Sequence, residues 1–184
     1  MSIRIAPFDA LDGAQRTQAA ELLTRAFAHQ PNTWRRLPEA TAEVATFFHD
    51  PDRSALAALD GERVVGWIGM IRAYSHAFEL HPIAVDPPWQ RRGVGAQLVR
   101  ALEAAARSQG ALTLYLGSDD DFGGTTLYGA DPYPDLLAAL GAVAQSPRGH
   151  PLGFYLRLGF VLSGIVPDAN GPGKPDILMA KRLA

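Results

Sequence analysis

Cysteine is absent from the 184 residues, which excludes disulfides, thiolate-ligated metals and a cysteine nucleophile. Lysine is almost absent too: of 17 basic residues, only Lys174 and Lys181 are lysines. No apolar run approaches the roughly 20 residues that a membrane-spanning helix needs. The opening MSIRIAPFDA lacks the long apolar segment of a signal peptide. An excess of one charge is also missing. A formal net charge of -2, from 17 Lys+Arg against 19 Asp+Glu, supplies no basic surface for general nucleic-acid binding. The expectation is a cytoplasmic protein with neither nucleic acid nor membrane as partner.

What is present is the composition of an ordinary globular chain, 47% hydrophobic and 20% charged. The length suffices for a full core, and no repeat or low-complexity linker interrupts it, so residues 1–184 read as a single domain. Residues 2–6 make a first strand. A helix is expected after Asp12, with Ala20, Leu23 and Phe27 on its apolar stripe and Pro31 ending it. A second helix is expected from about 38 to 48. Ala55–Leu59 and Val64–Ile71 flank an Asp60-Gly61 hairpin signal. The strand 78–85 then meets Asp86-Pro87-Pro88, and a helix runs to about Ser108 with Val94, Leu98, Ala101, Leu102 and Ala105 on one face. Gly110 marks its end. Ala111–Leu116 completes a strand–helix–strand unit that suggests a parallel pair. A polar, Gly- and Asp-rich loop spans 117–135, followed by helical pieces near 134–144 and 150–158. Strands at 160–166 and 176–181 close the chain. The fold class read from this order is α/β, one mixed sheet flanked by helices.

Gln90-x-x-Gly93-x-Gly95 lies between a strand and a helix N-terminus. Free backbone N–H groups and the positive helix end favour an anion there, and the glycines admit a pyrophosphate without a Cβ in the way. Arg91 and Arg92 add charge for phosphate. It is not a dinucleotide fingerprint, since Leu98 replaces the third glycine, and no Gly-Lys-Ser/Thr makes it a P-loop. A tight turn with exposed arginines is the competing reading of the spacing alone.

The loop resembles the acetyl-CoA pyrophosphate motif of the GNAT superfamily of N-acetyltransferases. Further stretches narrow the resemblance to aminoglycoside 6'-N-acetyltransferases, close to the enterococcal chromosomal type. These are Glu79-Leu80-His81-Pro82-Ile83-Ala84-Val85, then Leu114-Tyr115-Leu116-Gly117-Ser118-Asp119-Asp120, then residues 150–160 from His150-Pro151 to Gly159-Phe160. Pro167-Asp168-Ala169-Asn170-Gly171 and residues 174–181 extend it. Leu178 stands where those enzymes usually have Trp. The resemblance implies a GNAT fold with one twisted mixed sheet of six to seven strands. It implies acetyl-CoA as cosubstrate without a metal, held by the backbone of Ile83, Ala84 and Val85 and by Gln90, Arg91, Arg92, Gly93, Val94, Gly95 and Ala96. It also implies a cationic amine, an aminoglycoside, as partner. The family is often homodimeric, although no interface patch stands out in this sequence.

Glu79 and His81 are two apart on a strand and therefore share a side. Glu79 is the candidate base and ammonium ligand, and His81 the residue that orients a water. Tyr155 occupies the family position of the tyrosine that meets the cofactor sulfur, where its hydroxyl protonates or hydrogen-bonds the leaving thiolate. His76 and His81 lie on opposite faces and have no third ligand, which makes a zinc site poor. For the acceptor end, charge is the guide. Residues 88–107 hold four arginines against Glu103, whereas 108–147 hold five aspartates and no base. Asp119, Asp120 and Asp135, with Asp168 beyond them, are candidate ligands for ammonium groups, and Trp34 for an apolar wall beneath sugar rings. Loop capping by the aspartates and a core role for Trp34 are the alternatives at those positions. Two other functions remain open: acetylation of a polyamine or peptide amine, and non-catalytic, CoA-dependent aminoglycoside binding.

Overall fold

The computed structural model describes residues 3–28, 30 and 33–183. Pro31, expected to end the first helix, lies outside them, as does Ser2 of the first strand. Seven strands make one open mixed sheet in the order β1-β2-β3-β4-β5-β7-β6, flanked by helices. The described residues divide into two compact units, one running to Leu114 and including Leu183, the other residues 115–182.

In the first unit, β1 (Arg4–Pro7), β2 (Arg53–Asp60), β3 (Arg63–Ile71) and β4 (Ala77–Val85) pair antiparallel in sequence order. The β2–β3 hairpin differs from expectation by one residue. Asp60 pairs with Arg63, so the central turn residues are Gly61 and Glu62, and Gly61 takes a φ of 58°. A glycine at the first central position suits a primed hairpin turn, which leaves Asp60 in the strand.

Helix α1 (Gly13–Ala26) starts where expected, because the Asp12 side chain accepts the Gln15 N–H and the Gln15 side chain answers on the Asp12 N–H. Helix α2 spans Leu37–His49. Ala19, Ala20, Leu22 and Leu23 of α1 and Ala40, Val44 and Phe47 of α2 are buried with Phe8 and Trp67, whose indole N–H donates to the Ala19 carbonyl at 3.1 Å. Helix α3 (Val94–Ser108) buries Val94, Leu98, Val99, Leu102, Glu103 and Ala106. That stripe is rotated from the expected one: Val99 and Glu103 are inside, whereas Ala101 and Ala105 stay at its margin. Glu103 sits there with the Arg107 guanidinium 3.7 Å from its carboxylate.

Strand β5 (Thr113–Asp119), which belongs to the second unit from Tyr115 on, continues past its expected end. Leu114, Leu116 and Ser118 are buried in alternation, so Gly117, Ser118 and Asp119 belong to the strand rather than to the loop. A Cβ on Gly117 would run into the Asp176 carboxylate, which is why a glycine stands there. Two short helices, α4 (Leu136–Gly141) and α5 (Leu152–Arg157), precede the antiparallel pair β6 (Val161–Val166) and β7 (Asp176–Arg182).

Candidate active site

Exposure alternates along β4: Phe78, Leu80, Pro82 and Ala84 are buried, while Glu79, His81, Ile83 and Val85 are half-buried. The β3–β4 register slips between Ile68 and Met70, which sets His81 and Pro82 together opposite Gly69. Such a bulge re-aims side chains. It also brings the His81 carbonyl so near Gly69 that any Cβ there would overlap it. The His81 imidazole stands between two neighbours. Its Nε2 is 3.7 Å from the Glu43 Oε1, and its ring centroid is 5.8 Å from that of Trp34. Glu43 in turn receives the Arg53 guanidinium at 3.3 Å. Trp34 is half-buried and packs edge-on against Phe27, so it serves the core and still borders His81.

At the end of β4, Asp86 is almost fully buried and held by two guanidinium groups, Arg25 at 3.1 Å and Arg63 at 2.8 Å. This clamp fixes the turn that leads to Gln90, whose side chain donates back to the Val85 carbonyl at 3.0 Å. Gln90, Arg91, Arg92 and Gly93 are all exposed. Gly93 caps α3 in the left-handed region, φ 84°, with open space where a Cβ would stand. No side chain caps the helix, so its first N–H groups, from Val94, Gly95 and Ala96, have neither a capping side chain nor an intrahelical partner. The Arg92 guanidinium lies over the Trp89 ring at 5.5 Å. Neither Arg91 nor Arg92 meets a carboxylate among the described residues. Uncapped N–H groups, a glycine cradle and two unneutralised arginines fit a diphosphate. Gly66 supports the same geometry from below: a Cβ there would press on Val94, Leu98 and the Ala84 carbonyl at 3.1–3.3 Å.

In the second unit, the loop that follows β5 is tightly bonded. Asp120 is fully buried; its carboxylate accepts the Gly124 N–H at 2.7 Å and the Thr125 N–H and hydroxyl at 2.7 and 2.8 Å. Asp119 accepts from the Asn170 amide at 2.6 Å. Asp135 caps α4 through the Ala138 N–H, and Asp168, at φ 55°, accepts the Gly173 N–H. All four aspartates therefore organise turns. Asp135 and Asp168 are exposed and Asp119 is half-buried, whereas Asp120 turns no oxygen to solvent. Among the described residues, no group of three or more His, Asp or Glu side chains is placed to hold a metal ion, and no helix is long and apolar enough to cross a membrane.

Tyr155 is buried on α5, with its ring edge-on to Phe154 at 5.1 Å and Phe160 at 5.6 Å. Burial pushes its phenol pKa well up, so it stays a neutral hydroxyl with a proton to give. His150 precedes this helix. Its Nδ1 accepts the Leu152 N–H at 3.1 Å, which leaves the ring proton on Nε2 to donate to the Asp119 carbonyl at 3.2 Å. Burial lowers the His150 pKa against the opposing pull of Asp120 and Asp119. Sequence reasoning missed Glu43, Asp86 and His150 as site-building residues. Asp86 had a readable signal, an acid at a strand end before two prolines. The other two are revealed only by tertiary contacts.

The family model described as the acetyltransferase (GNAT) family matches residues 17–127. Uncharacterized N-acetyltransferases of Mycobacterium bovis and Mycobacterium tuberculosis are 32% identical over 78 residues, 42% of this chain. The chain thus spans about half, 50%, of the length of the curated relatives it matches. Among solved structures, an aminoglycoside 6'-N-acetyltransferase complexed with coenzyme A matches with a TM-score of 0.89 and 35% identity, over 98% of this chain and 97% of that one. The aminoglycoside 6'-N-acetyltransferase from Enterococcus faecium matches over the same shares, with a TM-score of 0.87 and 35% identity. The ribosomal-protein-S18-alanine N-acetyltransferase from Escherichia coli, at 18% identity and a TM-score of 0.64 over 100% of this chain and 95% of that one, shares the fold alone.

Proposed function

This chain belongs to the acetyltransferase (GNAT) family, and we propose that it transfers the acetyl group of acetyl-CoA to the 6'-amine of aminoglycosides by direct attack in a ternary complex. The observation that carries the reading is the near full-length likeness, at 35% identity, to an aminoglycoside 6'-N-acetyltransferase complexed with coenzyme A. In this reading residues 1–184 act as one catalytic domain.

Acetyl-CoA supplies an activated thioester, whose carbon–sulfur bond breaks as the new carbon–nitrogen bond forms. The protein's task is to hold both reactants and to move two protons. Ile83, Ala84 and Val85 offer strand backbone to the extended pantetheine arm, as an added strand would pair. The α3 N-terminus at Gly93–Ala96, with Gln90, Arg91 and Arg92, holds the diphosphate. Glu79 binds the incoming ammonium and accepts its proton, directly or through a water oriented by His81. Tyr155, kept protonated by burial, donates to the departing sulfur and is reprotonated from solvent. Trp34 gives the sugar an apolar wall. Glu79, Asp119, Asp135 and Asp168 supply negative charge for the acceptor's ammonium groups. Asp120 was expected among these, but its buried, saturated carboxylate gives it the separate task of shaping the loop.

Release of free CoA thiol, followed across kanamycin, spermidine and a peptide amine, tests the reading. Turnover with kanamycin is expected. Turnover with spermidine or the peptide and none with kanamycin assigns a different acceptor. Binding of acetyl-CoA and kanamycin without thiol release reduces the protein to a binder.

A further inference from the structure

Helix α5 has only six residues, so its own hydrogen bonds do little to fix the direction in which Tyr155 points. The rings of Phe154 and Phe160 pack against its ring, and a hydrogen-bonded anchor of the helix lies just upstream. The His150 ring, 6% exposed, uses both nitrogens: Nδ1 takes the first N–H of the helix, from Leu152, and Nε2–H reaches the carbonyl of Asp119 at the end of β5. One face of the ring lies along Phe122, 28° from parallel at 6.2 Å. Phe122 belongs to the loop that Asp120 organises. The imidazole thus joins three pieces of chain: the strand end, the Asp-rich loop and the helix of Tyr155. Among side chains with two nitrogens, only a neutral imidazole accepts at one edge and donates at the other with this span.

We propose that His150 is a positioning residue for Tyr155, fixing the helix that carries the phenol to the end of β5 and to the Asp-rich loop. The proposal rests on the reading above, in which Tyr155 gives a proton to the leaving sulfur. Loss of the tether displaces the hydroxyl, and a displacement of about 1 Å costs up to roughly 100-fold in rate. It leaves acetyl-CoA binding alone, because the α3 N-terminus does that work.

Two substitutions separate positioning from mere packing. His150→Phe keeps an aromatic ring against Phe122 and removes both hydrogen bonds. His150→Asn keeps the helix contact, since an asparagine oxygen readily accepts the N–H two residues on. The whole protein labelled with fluorotyrosine gives signals from its five tyrosines, and that of Tyr155 is identified by its loss in Tyr155→Phe. In folded His150→Phe the Tyr155 signal is expected to shift, and in His150→Asn to return toward its original position. The kcat of His150→Phe is expected to fall about 10- to 100-fold with the KM for acetyl-CoA within about two-fold. The double variant His150→Phe/Tyr155→Phe should be no slower than Tyr155→Phe alone. An unmoved Tyr155 signal in folded His150→Phe overturns the proposal, as do rate losses that multiply in the double variant. If Tyr155→Phe keeps full kcat, the acid role of Tyr155 falls instead, and the fluorine signal alone decides whether His150 positions it.

Discussion

The α-carbon of Gly69 faces the carbonyl oxygen of His81 so closely that no side chain fits between them, and Phe47 closes the same space from α2. The β4 bulge that carries His81 is therefore built against a position that only glycine fills. Gly69→Ala should push His81 and Phe47 apart and destabilise the protein by about 2 kcal/mol or more. Urea unfolding checks this, with a lower midpoint and an unchanged slope expected.

The Glu43 carboxylate stands 3.7 Å from the His81 imidazole, and Arg53 keeps it in place. Glu43→Gln should cost about 1 kcal/mol or less in stability, since Arg53 retains Asp50 and the Thr46 hydroxyl as partners. Its larger expected effect is on the acceptor side: a several-fold rise in the KM for the amine with the KM for acetyl-CoA unchanged. Steady-state kinetics with each substrate varied in turn measures it.

The aspartates divide by burial. Asp120→Asn replaces an oxygen that meets donors with an NH2 group, deep in the loop, and should cost about 2 kcal/mol. Asp135→Asn, at an exposed cap, should cost a few tenths of a kcal/mol because asparagine caps nearly as well. Thermal unfolding of the two variants side by side gives the comparison. An Asp120→Asn variant as stable as the parent would remove the loop-shaping role.

His150 links stability to pH. Its native pKa is lowered from 6.5 by burial, so the unfolded chain binds the proton more readily. Its contribution is fully present above about pH 6.5 and is lost as pH falls from there through the lower native value. Unfolding free energy followed from about pH 8 down to about pH 5 should decline in the parent. The decline should be shallower in His150→Asn, which removes the titrating group.

Much of this was legible in the sequence, for reasons that differ by element. Asp12 and Gln15 announce α1 because capping is local chemistry. Gly93 announces the α3 cradle because a left-handed cap before an apolar stripe has few alternatives. The stripe of α3 itself was misjudged by one residue, since alanines at 101 and 105 fit either side and the burial of Glu103 depends on Arg107 and packing. The extension of β5 through Gly117 was hidden because Gly-Ser-Asp reads as loop; the space taken by Asp176, nearly sixty residues later, decides it. Asp86 stands at a legible strand end, but its partners Arg25 and Arg63 lie elsewhere in the chain; Glu43 and His150 are placed by distant contacts, and no local pattern marks their roles.

The most direct measurement is to incubate the protein with acetyl-CoA and kanamycin and to locate the acetyl group on the product by NMR. The expected result is a single acetyl on the 6'-nitrogen, formed in step with free CoA. An unmodified drug, or an acetyl on any other nitrogen, would contradict the assignment.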